Sequence, residues 1–200
     1  YVSYSGIIAG TTAITIGSSG NTGTVILGGS STYSGATTVA YGTLQLGAAG
    51  GSTNTPLGTT GGATTVNSGA TLDVYGYAIA NALDLSGTGV SSAGALQNTN
   101  TSQGSVPTLT GTITLLASSS LGGTANYILD SASSNISGSG KALTKVGSNT
   151  ITLNDANTYT GGTTVNAGIL KAGNNGAVGS SGTVVIANTG TLDVAGFVID

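Results

Sequence analysis

Apolar residues recur along this chain in short alternating runs. Leu44 and Leu46 flank Gln45, Leu72 and Val74 flank Asp73, Ile151 and Leu153 flank Thr152, and Leu192 and Val194 flank Asp193. Successive strand residues point to opposite faces, so each apolar pair predicts a short strand with its Leu, Ile and Val on a core and the residue between them in water. The runs start beside glycines: GTLQLG from Gly42, GATLDV from Gly69, GALQN from Gly94, GTITLL from Gly111, GILKAG from Gly168 and GTLDV from Gly190. Several intervals between them lie between 17 and 27 residues, a suitable length for one coil of a β-solenoid. No 3.6-residue period is sustained, and 36 glycines with abundant Thr, Ser and Val argue against helix.

A longer repetition overlies this rhythm. STYSGATTVAYGTLQLG (Ser31 to Gly47) returns as NTYTGGTTVNAGILKAG (Asn157 to Gly173) at an offset of 126, and TLDVYGYAI (Thr71 to Ile79) returns as TLDVAGFVI (Thr191 to Ile199) at an offset of 120. The first copy therefore carries six extra residues, which fall in the Gly- and Thr-rich stretch from Ala48 to Gly61 and are expected to form a loop. Short strands of this kind also build sandwiches and barrels. Repetition favours stacking, because each unit buries its apolar face against a neighbour of nearly the same shape. The expected fold is all-β: one elongated β-solenoid over residues 1–200, with internal copies at approximately 5–130 and 136–200, the second truncated. At about 20 residues and roughly 4.8 Å per coil the rod would be of order 45 Å long. Gly and Asn, as in NSGATL and NAGIL, are expected at coil corners, and outward Thr and Asn in ladders.

Composition narrows the chemistry. Nine residues are charged: Lys141, Lys145, Lys171, Asp73, Asp84, Asp130, Asp155, Asp193 and Asp200. With 38% hydrophobic residues and a net charge of -3, disorder is not expected. Without arginine or a basic cluster, nucleic acid is not an expected partner. No stretch approaches 18 consecutive apolar residues, so this segment is not expected to insert into a membrane as a helix. Histidine, cysteine, glutamate and arginine are all missing, which removes Ser-His-Asp and Cys-His machinery and the usual zinc sets. The lack of cysteine suits secretion and the cytosol equally.

Aspartate is the only carboxylate, so Asp73, Asp84 and Asp193, with the lysines, are the candidates for polysaccharide cleavage. Asp73 and Asp193 hold equivalent places in two copies, which an acid and base pair would not require; both are expected to be solvated on the outside of a coil. Asp155 in NDANTY reads as a turn former. Isolated aspartates without a Gly-Gly-x-Gly-x-Asp repeat do not read as calcium ligands. Tyr33 and Tyr159 are expected to pack over the repeated turn in preference to stacking on sugar, and Phe197 in place of Tyr77 shows that hydroxyl to be dispensable. Tyr1, Tyr4 and Tyr75 fit either role. Lys141 and Lys145, in GKALTKVG, are expected to share an outer face with Thr as solubility or edge-blocking devices. The expectation is no catalytic, cofactor-binding or metal residue.

Over GSGKALTKVGSNTITLNDANTYTGGTTVNAGILKAG (Gly138 to Gly173) the chain resembles the passenger-associated repeat of bacterial autotransporters. The second copy holds Tyr159, Gly161, Gly162, Thr163, Thr164, Val165, Gly168 and Leu170 of that pattern; the first holds Tyr33, Gly35, Thr37, Thr38, Val39, Gly42 and Leu44, with Ala36 replacing the second glycine. The resemblance implies a right-handed parallel β-helix outside a bacterium, between a recognition region and an outer-membrane barrel. A non-catalytic stalk or adhesin segment is the leading expectation, with homotypic partners or a surface glycan. The chain is expected to be part of something longer. One alternative is a filament subunit joined end to end by strand addition near Asp200; another is a glycan-binding or polysaccharide-degrading β-helix.

Overall fold

The computed structural model describes residues 1–49, 51, 53–131 and 136–199. Its strands pair in parallel with those of the coil below, the coil above or both, apart from one small antiparallel hairpin. Three faces succeed one another around each coil. On face B a single ladder runs through Val2, Val25, Leu44, Leu72, Leu96, Leu121, Lys145, Val165 and Ile186, about eight turns of β-solenoid. Face A stacks Ile14, Thr37, Thr64, Leu83, Ile113 and Ile136. Face C is a regular ladder only in the later coils, through Leu109, Leu129, Leu153 and Ala172, with Ile79 bridged to Leu109. In the earlier coils it is held by separate bonds, such as Thr32 N to Ile8 O at 2.8 Å and Thr59 N to Tyr33 O at 2.9 Å. Among the described residues the only helical turn is a 3-10 turn at Val90–Ser92.

Period-two alternation produces this arrangement directly. Leu44, Leu46, Leu72, Leu85, Leu96, Leu121 and Leu129 are fully buried in one continuous core, each worth about 1.5–3 kcal/mol on burial. The alternate positions of face A carry Thr15, Thr38, Thr65, Asp84, Thr114 and Ser137 in register on the outside. Stability is thus distributed along one axis, each coil resting on its neighbours alone.

The two sequence copies do not occupy the same faces. Tyr33 lies on face C, Thr37–Val39 on A and Leu44 on B; Tyr159 lies on A, Thr163–Val165 on B and Ile169–Ala172 on C. From Leu44 the ladder climbs five steps, through Leu72, Leu96, Leu121 and Lys145 to Val165, before Leu170 is reached one face further on. The offset of 126 therefore spans five coils and one third of another. What repeats is a corner with its two flanking strands, and the prism offers three corners alike enough to take it.

The six extra residues of the first copy also have a definite place. Leu72 stacks on Leu44, a step of 28, whereas Leu192 stacks on Leu170, a step of 22. The longer coil carries a small antiparallel hairpin, Asn54–Thr55 with Gly58–Thr59, where a plain loop was expected. Positions 50 and 52 of this stretch, and Asp200 at the expected strand-addition end, lie outside the described residues.

Candidate functional site

The residues most characteristic of the repeat are spent on joining coils. Tyr33 and Tyr159 are fully buried, and their hydroxyls meet Thr37 Oγ1 at 2.5 Å and Thr163 Oγ1 at 2.6 Å. Each threonine hydroxyl donates upward to the next coil, Thr37 to Leu57 O at 3.2 Å and Thr163 to Val178 O at 2.7 Å. Burial raises the pKa of both phenols. Asn157 works beside them: its Oδ1 accepts from Ile136 N below, and its Nδ2 donates to Ala177 O above. Ser31, the equivalent residue, accepts from Ile8 N through Oγ. The packing role expected of the two tyrosines is what the geometry gives, and no ring face is left for a sugar.

Asp73, Asp84 and Asp193 lie on faces B, A and C of three different coils and do not converge. Among the described residues no three His, Cys, Asp or Glu side chains form a cluster fit for a metal ion. Asp84 stands between Thr65 and Thr114 in the outer row of face A. The expectation of a solvated Asp73 is overturned. Its side chain is 2% exposed, accepting from Tyr75 N at 2.9 Å, Thr99 N at 3.2 Å, Thr99 Oγ1 at 2.5 Å and Gln45 Nε2 at 3.2 Å. The strand parity is as read, but residues 99 onward fold over the outer face and cover it.

Asp73 and Asp193 share a local duty that TLDV hides. Asp193 Oδ1 accepts from Ala195 N at 3.0 Å as Asp73 Oδ1 does from Tyr75 N. The next two residues take positive φ in both copies, Tyr75 at 48° with Gly76 at 83°, and Ala195 at 49° with Gly196 at 90°. The turns close with Tyr77 N on Val74 O and Phe197 N on Val194 O. An aspartate that accepts from the amide two residues on stabilises such a left-handed corner. Alanine at Asp73 is expected to cost about 2–4 kcal/mol, because buried amides lose their acceptor; at Asp193, which is only half-buried, the cost should be under about 1 kcal/mol. Equal urea midpoints for the two variants would contradict this. Asp155, read as a turn former, stands in a bend and also reaches one coil down, where its Oδ2 accepts from Ser131 N at 2.6 Å; beside it Asn154 Nδ2 donates to Asp130 Oδ2 at 2.9 Å.

Lys145 departs furthest from expectation. It is a rung of the inward ladder of face B, stacked on Leu121 and beneath Val165, and it is fully buried. Its ammonium group donates to Val146 O at 2.8 Å, Gly147 O at 2.9 Å and Ala167 O at 3.1 Å. Three N–H donors thus meet three corner carbonyls. Desolvation pushes its pKa down to about 8. At the same corner Asn149 Nδ2 does similar work towards the coil below, donating to Gly122 O and Ala125 O. The outward solubility role read for Lys145 is therefore wrong. Residue type misled, since its parity matches that of inward Leu143.

One open cleft of about 290 Å³ lies at the corner between faces B and C, lined by residues 98–107 (except Thr99 and Ser102) and 124–126. It was not foreseen from sequence; the Asn- and Thr-rich run NTNTS (Asn98 to Ser102) is the signal that marks it.

Comparison with known proteins gives one result. The model of the passenger-associated-transport-repeat family matches residues 21–46 and 143–172. Neither curated proteins nor solved structures gave a match. The matched segments contain the face A to B corner of the first copy and the face B to C corner of the second, the parts shown above to repeat in three dimensions. The chain is a parallel β-solenoid in which two segments carry the passenger-associated-transport repeat.

Proposed function

We propose that the chain is a non-catalytic structural segment of a protein exported to the bacterial surface, a stiff passenger-like rod. The observation that carries this reading is the passenger-associated-transport repeat at residues 21–46 and 143–172, whose signature tyrosines and threonines are consumed by joining one coil to the next. A rod of this kind sets distance and presents a nearly charge-free surface of Thr, Ser and Asn, suited to multivalent side-by-side contact with like rods at little electrostatic cost. Cells of the source organism carrying an epitope tag in the exposed Gly104 region should be stained without permeabilisation, and external protease should remove the stain. Staining that requires permeabilised cells would reject the proposal.

A further inference from the structure

Strand pairing shows that the cleft is built by a local excursion of the chain. Asn98 pairs with Gly123 and Thr108 with Ile128, so the corner from face B to face C takes nine residues, 99–107, in one coil and four, 124–127, in the next. The longer corner is tied down at several points. Thr99 is clamped by Asp73 through both its amide and its hydroxyl. Asn98 Oδ1 accepts from Asn100 N, and Asn100 Oδ1 accepts from Ser102 N. Asn100 Nδ2 donates to Tyr75 O at 3.2 Å, and Thr124 Oγ1 donates to Thr99 O at 3.3 Å.

While the base is satisfied, the lining is not. Gln103, Thr101 and Ser105 make no side-chain hydrogen bond among the described residues, and Asn126 uses its Oδ1 on Thr150 N, which leaves Nδ2 open. Val106, 48% exposed, and Pro107 add an apolar patch to the same lining. None of the chain's charged residues lines the cleft. An ionic ligand would lose hydration there with no opposite charge to offset it. An apolar ligand would strand the open amides. A hydroxyl-rich neutral ligand meets both conditions: adjacent hydroxyls match the paired donor and acceptor of a primary amide, and the C–H face of a sugar ring suits Val106 and Pro107. The volume lies near the lower end of small-molecule sites.

We propose that the cleft at residues 98–107 and 124–126 is a binding site for a short uncharged saccharide. The site goes beyond the role of a rod and does not depend on it, since a cytosolic solenoid would carry the same cleft. Isotope-labelled chain is titrated, by NMR of side-chain amides, with maltose, lactose, mannobiose and chitobiose, and with sialyllactose as the acidic arm. At least one neutral sugar should shift the Gln103 and Asn126 amide signals with a Kd of roughly a millimolar. Gln103→Ala should weaken that affinity about tenfold, as each lost hydrogen bond to a preorganised site does. Thr101→Trp, which fills the cleft from an exposed position, should abolish it, with strand resonances outside 98–126 unchanged in both variants. The proposal is overturned if no neutral sugar shifts these amides at tens of millimolar, if the shifts survive Thr101→Trp, or if sialyllactose binds in preference to lactose.

Discussion

Replacing Gly161 with alanine is expected to remove about 3–5 kcal/mol of stability and to part the later coils from the earlier ones. A Cβ built at Gly161 would lie 2.3 Å from Lys141 C and 2.5 Å from Ala142 N, main-chain atoms of the coil below. Gly35, its counterpart, is as confined, with Thr12 C at 2.4 Å and Ala13 N at 2.5 Å. A flexible side chain would give way to an added methyl, but a neighbouring backbone held by its own ladder does not, and overpacking of that sort falls at the severe end of single-residue effects. Because each coil touches only its neighbours, the damage should stay local in one direction. Amide exchange should speed up across residues 163–172 and 184–193 while residues 64–66 and 71–73 stay protected. Gly61, around which a Cβ would find open space, is the control, and Gly61→Ala should leave the urea midpoint unchanged. An unaltered midpoint for Gly161→Ala would show that the coils are not in the close contact described.

Lys145 gives the second large effect, and it is a matter of pH. In the folded chain the amine loses its proton near pH 8, against 10.5 ordinarily. Between those values the unfolded chain holds more protons than the folded one, so stability must rise with pH by up to about 1.4 kcal/mol per unit. Keeping the charge buried at neutral pH costs about 3 kcal/mol by the same relation. Above pH 10 the sign reverses. Burial raises the pKa of Tyr33, Tyr127 and Tyr159, Tyr127 further through the charge of Asp73, so the unfolded chain gives up phenolic protons first. A stability maximum between pH 9 and 10 is expected. Lys145→Met fits the ladder in size and removes the charge, yet it strands three carbonyls whose charge-assisted bonds are worth about 1.5–3 kcal/mol each. The hydrogen bonds outweigh the desolvation, so the variant should be less stable by about 2 kcal/mol at pH 7. The gap should widen by about 1.3 kcal/mol at pH 9, because only the unaltered chain gains there. Parallel stability curves from pH 7 to 9 would refute the assignment of that titration to Lys145.

Much of this architecture is legible in local pattern. Leu44, Leu72, Ile151 and Leu192 could be set facing inward from alternation alone, since a strand has only two sides and each run has one apolar side. The signature Tyr and Thr marked a turn correctly because one contact that shapes it, between Tyr159 and Thr163, spans only four residues. What escaped were features decided by another coil. Asp73 reads as exposed until residues 26 positions later fold over it, and Lys145 reads as a surface charge until three carbonyls from two corners are placed around its end. The cleft escaped for a similar reason. Its size follows from the mismatch between two corner lengths, and that mismatch becomes visible only once Asn98 is known to lie beside Gly123.

The displacement of the second copy by one face bears on how such a chain can be rearranged. A segment that fits any of three edges is indifferent to bearing, so a duplication need not comprise whole turns to be accommodated. Genetic insertions of a third, or two thirds, of a revolution would be tolerated as readily as complete ones. A decorated corner moved in this way would come to point along a new compass direction of the shaft, and appendages could be spread around the circumference without altering the shaft itself.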